Sequence, residues 1–318
     1  MNLTVCICTH NRPGYLGDCL AGLLRQTADR ACFDILIVDS ASTPGVAAEL
    51  VRRAAQAGAT LVRVDQPGIS AARNAGAQAT RAAYIAYIDD DAVPADDWVA
   101  AILAAIAEPG SKPGMIGGRI LPQWEAPLPA WWPASLRGVL SIIEHEGRGE
   151  CWTGALPNEL QPYGANMAVH VPALLAAGGF GVGAGRRGTM LLSDEEVQLA
   201  GRMQEAGCSV RYDSRIVVHH RIQAERLNPA WLLARLYWQG VSTVLTRRRL
   251  RRPEAVWREL PRRLVVAMVC APAALIPPRA PWLIAPRWRL AYAAGFIRAA
   301  LGWRPHRPRG DDGTVAAG

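Results

Sequence analysis

Three consecutive aspartates, Asp89, Asp90 and Asp91, follow a short apolar run at residues 83–88. A run this rich in aromatic and β-branched residues reads as a buried strand. Carboxylates ending such a strand concentrate negative charge at the carboxyl edge of a sheet, where open α/β sheets bind ligands. Packed this closely they repel unless a cation lies among them, and hard divalent cations prefer oxygen ligands. The triplet is therefore a candidate metal site that grips a phosphorylated substrate. An acidic turn opening the next helix would use the same residues, because Asp caps helices well.

The elements around the triplet bear on that choice. The first 121 residues alternate: strands are expected at 3–8, 33–38, 60–64, 83–88 and 115–121. Helices are expected at 13–26, from after the turn at 39–45 to about 57, at 70–81 and at 95–107. Pro13 and Ser70 start two of them, and the turn chemistry of residues 39–45 ends the second strand. This alternation predicts an α/β fold, a mostly parallel sheet flanked by helices. Thr9, His10, Asn11, Asp39 and the aspartates all fall just past strand ends, so they converge on one crevice. Ordinary loop decoration does not predict that convergence.

Residues 122–162 break the pattern. Trp124, Trp131, Trp132 and Trp152 lie there among prolines and glycines. A long irregular segment inside a domain is often functional. The tryptophans suit stacking on sugar faces, contact with lipid, or simple anchoring of the loop. A strand is expected at 164–170, a short helix at 172–177, and a helix opened by Asp194-Glu195-Glu196 that runs to 205. Acids in a first helical turn also favour the helix dipole with no further role. Short strands at 209–212 and 215–218 precede His219-His220.

The remainder reads as helical, basic and apolar. A helix is expected at 228–246, followed by an arginine cluster at 247–252. The apolar run at 264–276 is too short to span a bilayer before Pro277-Pro278 breaks it. Residues 281–303 mix Trp282, Trp288, Tyr292 and Trp303 with arginines, a pattern expected in a membrane interface with anionic head groups. A helical lid with solvated arginines fits the same residues. The tail from Arg304 is expected to be disordered.

Half of the 318 residues are hydrophobic, which excludes a disordered chain, and the net charge is +8. Seven scattered cysteines without a CxxC pair argue for reduced, buried thiols over a zinc or disulfide framework. Met1-Asn2-Leu3 shows no basic leader, so a cytoplasmic protein, peripheral on the inner face of the cytoplasmic membrane, is expected. The basic residues are interleaved with apolar runs and form no nucleic-acid motif, so no nucleic acid is expected.

The motifs taken together resemble family 2 glycosyltransferases, inverting enzymes with the type A, Rossmann-like nucleotide-sugar-binding fold. The resemblance runs from about residue 3 to about residue 240. It rests on Val5 to Arg12, Ile37 to Ser42, Gly68 to Gly76 and Ile88-Asp89-Asp90-Asp91. It continues through Gly164 to Met167, Gly178-Gly179-Phe180 and Asp194 to Leu199, all in consistent order. It implies nucleotide contacts from Thr9, Asn11, Arg12, Asp39, Arg73, Asn74, Asp89 and Asp90. Mg²⁺ or Mn²⁺ would be held by Asp89 and Asp91, with His220 a third ligand or else a surface histidine. Glu196 would be the base that deprotonates the acceptor hydroxyl. Many relatives have Glu-Asp where this chain has Glu195-Glu196, so Asp194 and Glu195 stay open as alternatives. Trp131, Trp132 and Asn166 are the acceptor candidates. His10 and Ser40 depart from the family pattern and leave the base open among uridine, guanosine and thymidine, with UDP the first expectation.

The implied organisation is a catalytic domain at 1–225, with a nucleotide-binding half 1–121 and an acceptor half 122–225. A membrane-associating helical region at 226–303 and a disordered tail at 304–318 follow. The implied function is sugar transfer from a nucleotide-diphosphate sugar to a glycan or lipid-linked acceptor, in surface polysaccharide or lipid-linked glycan synthesis at an anionic membrane surface. An inactive scaffold or adaptor at the membrane is the alternative. Phosphatases of the haloacid dehalogenase type need Asp-x-Asp after the first strand, where this chain has Thr9-His10-Asn11. A nucleotidyltransferase would need a Gly-rich basic loop there.

Overall fold

The computed structural model describes residues 3–108, 112–151, 157, 160–181, 190–276 and 284–303. The expectations for Trp152, for Trp282 and for residues 304–318 lie outside these. The first part of the chain alternates as its pattern predicts: β1 (Leu3–Thr9), α1 (Pro13–Leu24), β2 (Phe33–Ser40), α2 (Pro44–Ala57), β3 (Thr60–Val64), α3 (Ile69–Ala79) and β4 (Tyr84–Asp89). Proline sits in the first turn of α1 and α2, and Gly58 closes α2 in the left-handed region. A short β5 (Ala92–Pro94) then precedes α4 (Trp98–Ala107) and β6 (Met115–Trp124). The second part holds β7 (Arg148–Cys151), β8 (Met167–His170), α5 (Val171–Ala176), α6 (Glu195–Glu205) and β9 (Val210–Ile222). Helices α7 (Pro229–Arg249), α8 (Pro253–Cys270) and α9 (Ile284–Ala300) complete the chain.

The strands form one sheet in the order β3-β2-β1-β4-β8-β6-β9-β5, with β7 also paired to β9. The half built from β3, β2, β1 and β4 is parallel, as the βα alternation requires. Beyond β4 the sheet is mixed: β8 runs antiparallel to β4 and β6, whereas β6 and β9 are parallel. Side chains alternate across it. Val5 and Ile7 face a core with Leu16, Leu20, Leu50 and Trp98, while Cys6 faces the other core with Ala72, Leu174, Leu199 and Met203. Cys6, Cys19 and Cys270 are buried free thiols.

The register aligns the strand ends. Thr9 pairs with Asp39 and Cys8 with Asp89, so three carboxyl edges end level. The two short strands expected around residues 209–218 are one long strand with a bulge. Its partner jumps from Asp213 to Val217 between Gly118 and Arg119. Asp213 is fully buried and accepts both the backbone N–H and the guanidinium of Arg215 at 3.0 Å. Residues whose polarity suggests a turn are thus satisfied inside the ladder. β9 therefore continues past His219-His220, and His220 pairs with Ala92 of β5.

The C-terminal helices pack together. α7 is capped by Asn228, whose side chain accepts from the Trp231 N–H at 2.9 Å. α9 is not laid out flat: Phe296, Ala299 and Ala300 are buried with Val241 and Val244 of α7 and Val256 of α8. Gly240 and Gly295 make the crossing of α7 and α9 close. A side chain at Gly240 would meet the backbone of Tyr292, and one at Gly295 the backbone of Tyr237.

Candidate active site

The carboxyl ends of β1 and β4, the start of α6, the end of β9 and one face of α7 line a cavity of about 2170 Å³. That volume is larger than an ordinary small-ligand pocket and leaves room for two substrates. Thr9, Arg12, Arg73, Asp89, Asp90, Asp91, Asp194, Glu195, Glu196 and His220 all line it.

Asp91 is heavily contacted. Arg12 donates to it at 3.1 Å, Gln223 at 2.8 Å and Arg226 at 3.2 Å, and His220 Nε2 stands 3.3 Å away. Burial opposes its charge, but His220, Arg226 and Arg12 outweigh that and hold Asp91 far below the usual carboxylate range. Asp90 turns the other way. It accepts from the Thr9 hydroxyl at 2.7 Å, and burial followed by the charge of Asp91 pushes it up to about 7.

Ligand atoms of Asp89, Asp91 and His220 lie within 4.8 Å of one another. Two carboxylates and an imidazole suit a divalent cation of the Mn²⁺ or Mg²⁺ class, the imidazole favouring the softer ion. The buried Nδ1 of His220 has no hydrogen-bond partner, which also fits a group awaiting a ligand.

Beside this cluster, Arg73 donates to Glu195 at 3.0 Å and to Glu196 at 3.1 Å, and stands 3.4 Å from Asp89. Burial, then Glu196, pushes Glu195 up to about 8, so it keeps its proton at neutral pH. Its Oε2 is enclosed without a partner. Glu196 Oε1 accepts from Arg73 and from the Gly164 N–H at 2.9 Å. A side chain at Gly164 would meet the Arg73 guanidinium and Glu196 Oε1 at 2.8 Å, so the motif glycine leaves space for this cluster. Asp194 has φ 75° and accepts from Gln239 at 2.8 Å and from the Ser193 hydroxyl at 3.0 Å. Burial raises it.

Other sequence candidates have different places. Asp39 is buried, accepts from the Ser42 N–H at 2.9 Å and is paired with Arg63. Asn11, at φ 54°, accepts from the Thr43 N–H at 2.9 Å and so holds the β1 turn against the β2 turn. Asn74 bonds both backbone groups of Phe180 and fixes the Gly178-Gly179 turn, where Gly179 has φ 70°. Asn166 is fully buried. It accepts from the Trp98 indole at 2.8 Å and donates to the carbonyls of Arg119 and Ile216, so it ties strands together behind the cavity. Trp132 packs with Leu140, Ile222 and Leu232, and Trp131 lies against that cluster. Tryptophans there anchor the loop.

The sequence reading missed Arg63, Gln223, Arg226 and the α7 residues Arg235 and Gln239. Gln223 and Arg226 follow His220 closely in sequence, and that proximity was the signal available.

Residues 4–125 match the family described as Glycosyl transferase family 2. Glucosyl-dolichyl phosphate glucuronosyltransferase of Haloferax volcanii is 29% identical over 176 residues, 55% of this chain and 54% of that protein. The chain thus spans about half the length of this curated relative. The structure of mannosyltransferase PcManGT from Pyrobaculum calidifontis with GDP-Man and Mn²⁺ aligns with a TM-score of 0.60 at 19% identity, over 93% of this chain and 87% of that one. S. aureus TarS 1-349 in complex with UDP aligns with a TM-score of 0.54 at 12% identity, over 98% and 95%. The fold is that of the type A glycosyltransferases.

Proposed function

Residues 4–125 belong to glycosyl transferase family 2, and from that membership we propose that the chain transfers a sugar from a nucleotide-diphosphate donor to an acceptor hydroxyl, with inversion. The carrying observation is that the Asp89, Asp91, His220 cluster and the Arg73, Glu195, Glu196 cluster line one cavity and meet where Arg73 stands 3.4 Å from Asp89. The similar structures were obtained with GDP-Man and Mn²⁺ and with UDP, which supports a nucleotide donor.

Asp89, Asp91 and His220 would hold Mn²⁺ or Mg²⁺, which when bound neutralises charge on the departing diphosphate. Arg12 and Arg226 fix Asp91 in position from outside. Asp39 takes the nucleoside once Arg63, half exposed, swings aside. Glu196 is the base. The Gly164 N–H and Arg73 hold one of its oxygens, so the carboxylate is oriented toward an acceptor hydroxyl in the cavity. Glu195 keeps its proton and serves as a neutral partner. Asp194, held by Gln239 and Ser193, positions the start of α6. The acceptor enters along α7, where Arg235, Gln239 and Thr243 line the cavity, and belongs to glycan or lipid-linked glycan synthesis.

The test is titration of UDP-, GDP- and dTDP-sugars with and without Mn²⁺ on the wild type and Asp91→Ala. Metal-dependent binding of one donor, lost in the variant, is the expected result. Binding of no donor by folded protein would return the chain to the scaffold reading.

A further inference from the structure

α8 differs from its neighbours in what it leaves in water. Its inner face, with Val256 and Cys270, is buried. Its outer face carries Trp257, Leu264, Val265, Met268 and Val269, each between 50% and 71% exposed. The spacing of these positions puts them on one side of the helix. Leu275, just beyond, is 87% exposed and extends the strip. Single exposed apolar residues are ordinary, but a contiguous strip marks a contact surface.

Charge identifies the partner. The exposed charged residues of α8 and its approach are Arg251, Arg252, Arg258 and Arg262 against Glu254. The sequence has no Asp or Glu between Glu259 and Asp311. A second copy packed on this face by two-fold symmetry would bring two rows of arginines together. A bilayer of anionic lipid takes both the apolar strip and the arginines, with a tryptophan at the head-group level. Arg252, just before α8, and Ala255 in its first turn line the cavity. A membrane under α8 therefore borders the cavity.

We propose that α8 lies in the head-group layer of an anionic bilayer with Trp257, Leu264, Met268 and Val269 inserted. The segment at 281–303, read from sequence as the interfacial one, instead includes α9, which fills the bundle behind α8. The proposal goes beyond the transfer reaction and is tested without turnover.

The experiment is flotation of the full chain with phosphatidylcholine vesicles, with and without phosphatidylglycerol, alongside light scattering. The variants are Met268→Asp with Val269→Asp, and Arg258→Glu with Arg262→Glu. Circular dichroism and Mn²⁺-dependent nucleotide binding confirm that each is folded. The wild type floats with anionic vesicles and about tenfold less with neutral ones. The first variant stays at the bottom with both, and the second loses its preference for anionic lipid. A wild type that never floats, or a first variant that floats like wild type, overturns the proposal. So does a wild-type dimer that the first variant dissolves, which would make a second copy the occupant.

Discussion

Arg73 and Glu196 stand 3.1 Å apart although 123 positions separate them. Arg73 comes from α3, which packs behind the parallel half of the sheet, and Glu196 from the first turn of α6. Glu195 shares the same guanidinium nitrogen at 3.0 Å. One buried guanidinium therefore holds both glutamates.

Replacing Arg73 with methionine leaves two buried carboxyls without their cation. The expected loss is about 3–5 kcal/mol of unfolding free energy. Urea denaturation at neutral pH reads it, and an unchanged midpoint would remove Arg73 from the account of stability.

Glu196→Gln separates chemistry from binding. Transfer is expected to fall about 10²- to 10⁴-fold, the usual worth of a positioned base. Mn²⁺-dependent nucleotide binding is expected to stay as in wild type. Glu195→Gln replaces a group that already holds its proton, so transfer is expected to persist. The reverse ranking of the two variants in a transfer assay would make Glu195 the base.

The same proton gives a pH signature in stability. Glu195 moves from an ordinary value of 4.5 to about 8, so the folded state binds this proton more tightly than the unfolded chain. Its contribution is complete below 4.5 and is lost as pH rises through about 8. Stability of Glu195→Gln, measured by denaturation across that window, is expected to lack this decline. A wild-type slope in the variant would assign the proton elsewhere.

Metal binding should follow the geometry of the cluster. Asp91→Ala is expected to abolish Mn²⁺ uptake in calorimetry, whereas His220→Ala weakens it and leaves two carboxylate ligands. Equal uptake by wild type and Asp91→Ala would move the ion to another site.

Gly295→Ala tests the α7–α9 crossing, where a methyl group would meet the backbone of Tyr237. Forced separation of the helices is expected to cost about 1–3 kcal/mol. Thermal unfolding measures it, and a neutral result would mean that the helices part without strain.

The parallel half of the fold was legible because apolar strands and punctuating prolines and glycines repeat there with little tertiary override. β5 was not, since Ala92–Pro94 is too short to carry a pattern. The bulge in β9 read as a break because Asp213 and Arg215 look like turn residues until their ion pair is seen. Most site carboxylates could be found from their places past strand ends. The hold of Arg73 on Glu195 and Glu196 could not, because no spacing in the chain announces a contact between α3 and α6. The aromatic and arginine mixture near the C terminus was ambiguous for a physical reason. Arg298 stacks over Trp303 at 4.1 Å and Arg263 over Tyr292 at 4.3 Å, so these arginines pair with the protein's own rings.

The sheet order carries one more consequence. β5 reaches the sheet only through β9, and β6 lies between β8 and β9, so the segments before and after residue 121 are braided. The candidate ion cluster takes Asp89 and Asp91 from one side of that point and His220 from the other. A chain severed at 121 would yield two fragments that each lack part of the chelate. Recovered manganese affinity on mixing them would then be a direct gauge of how well the two pieces reassemble.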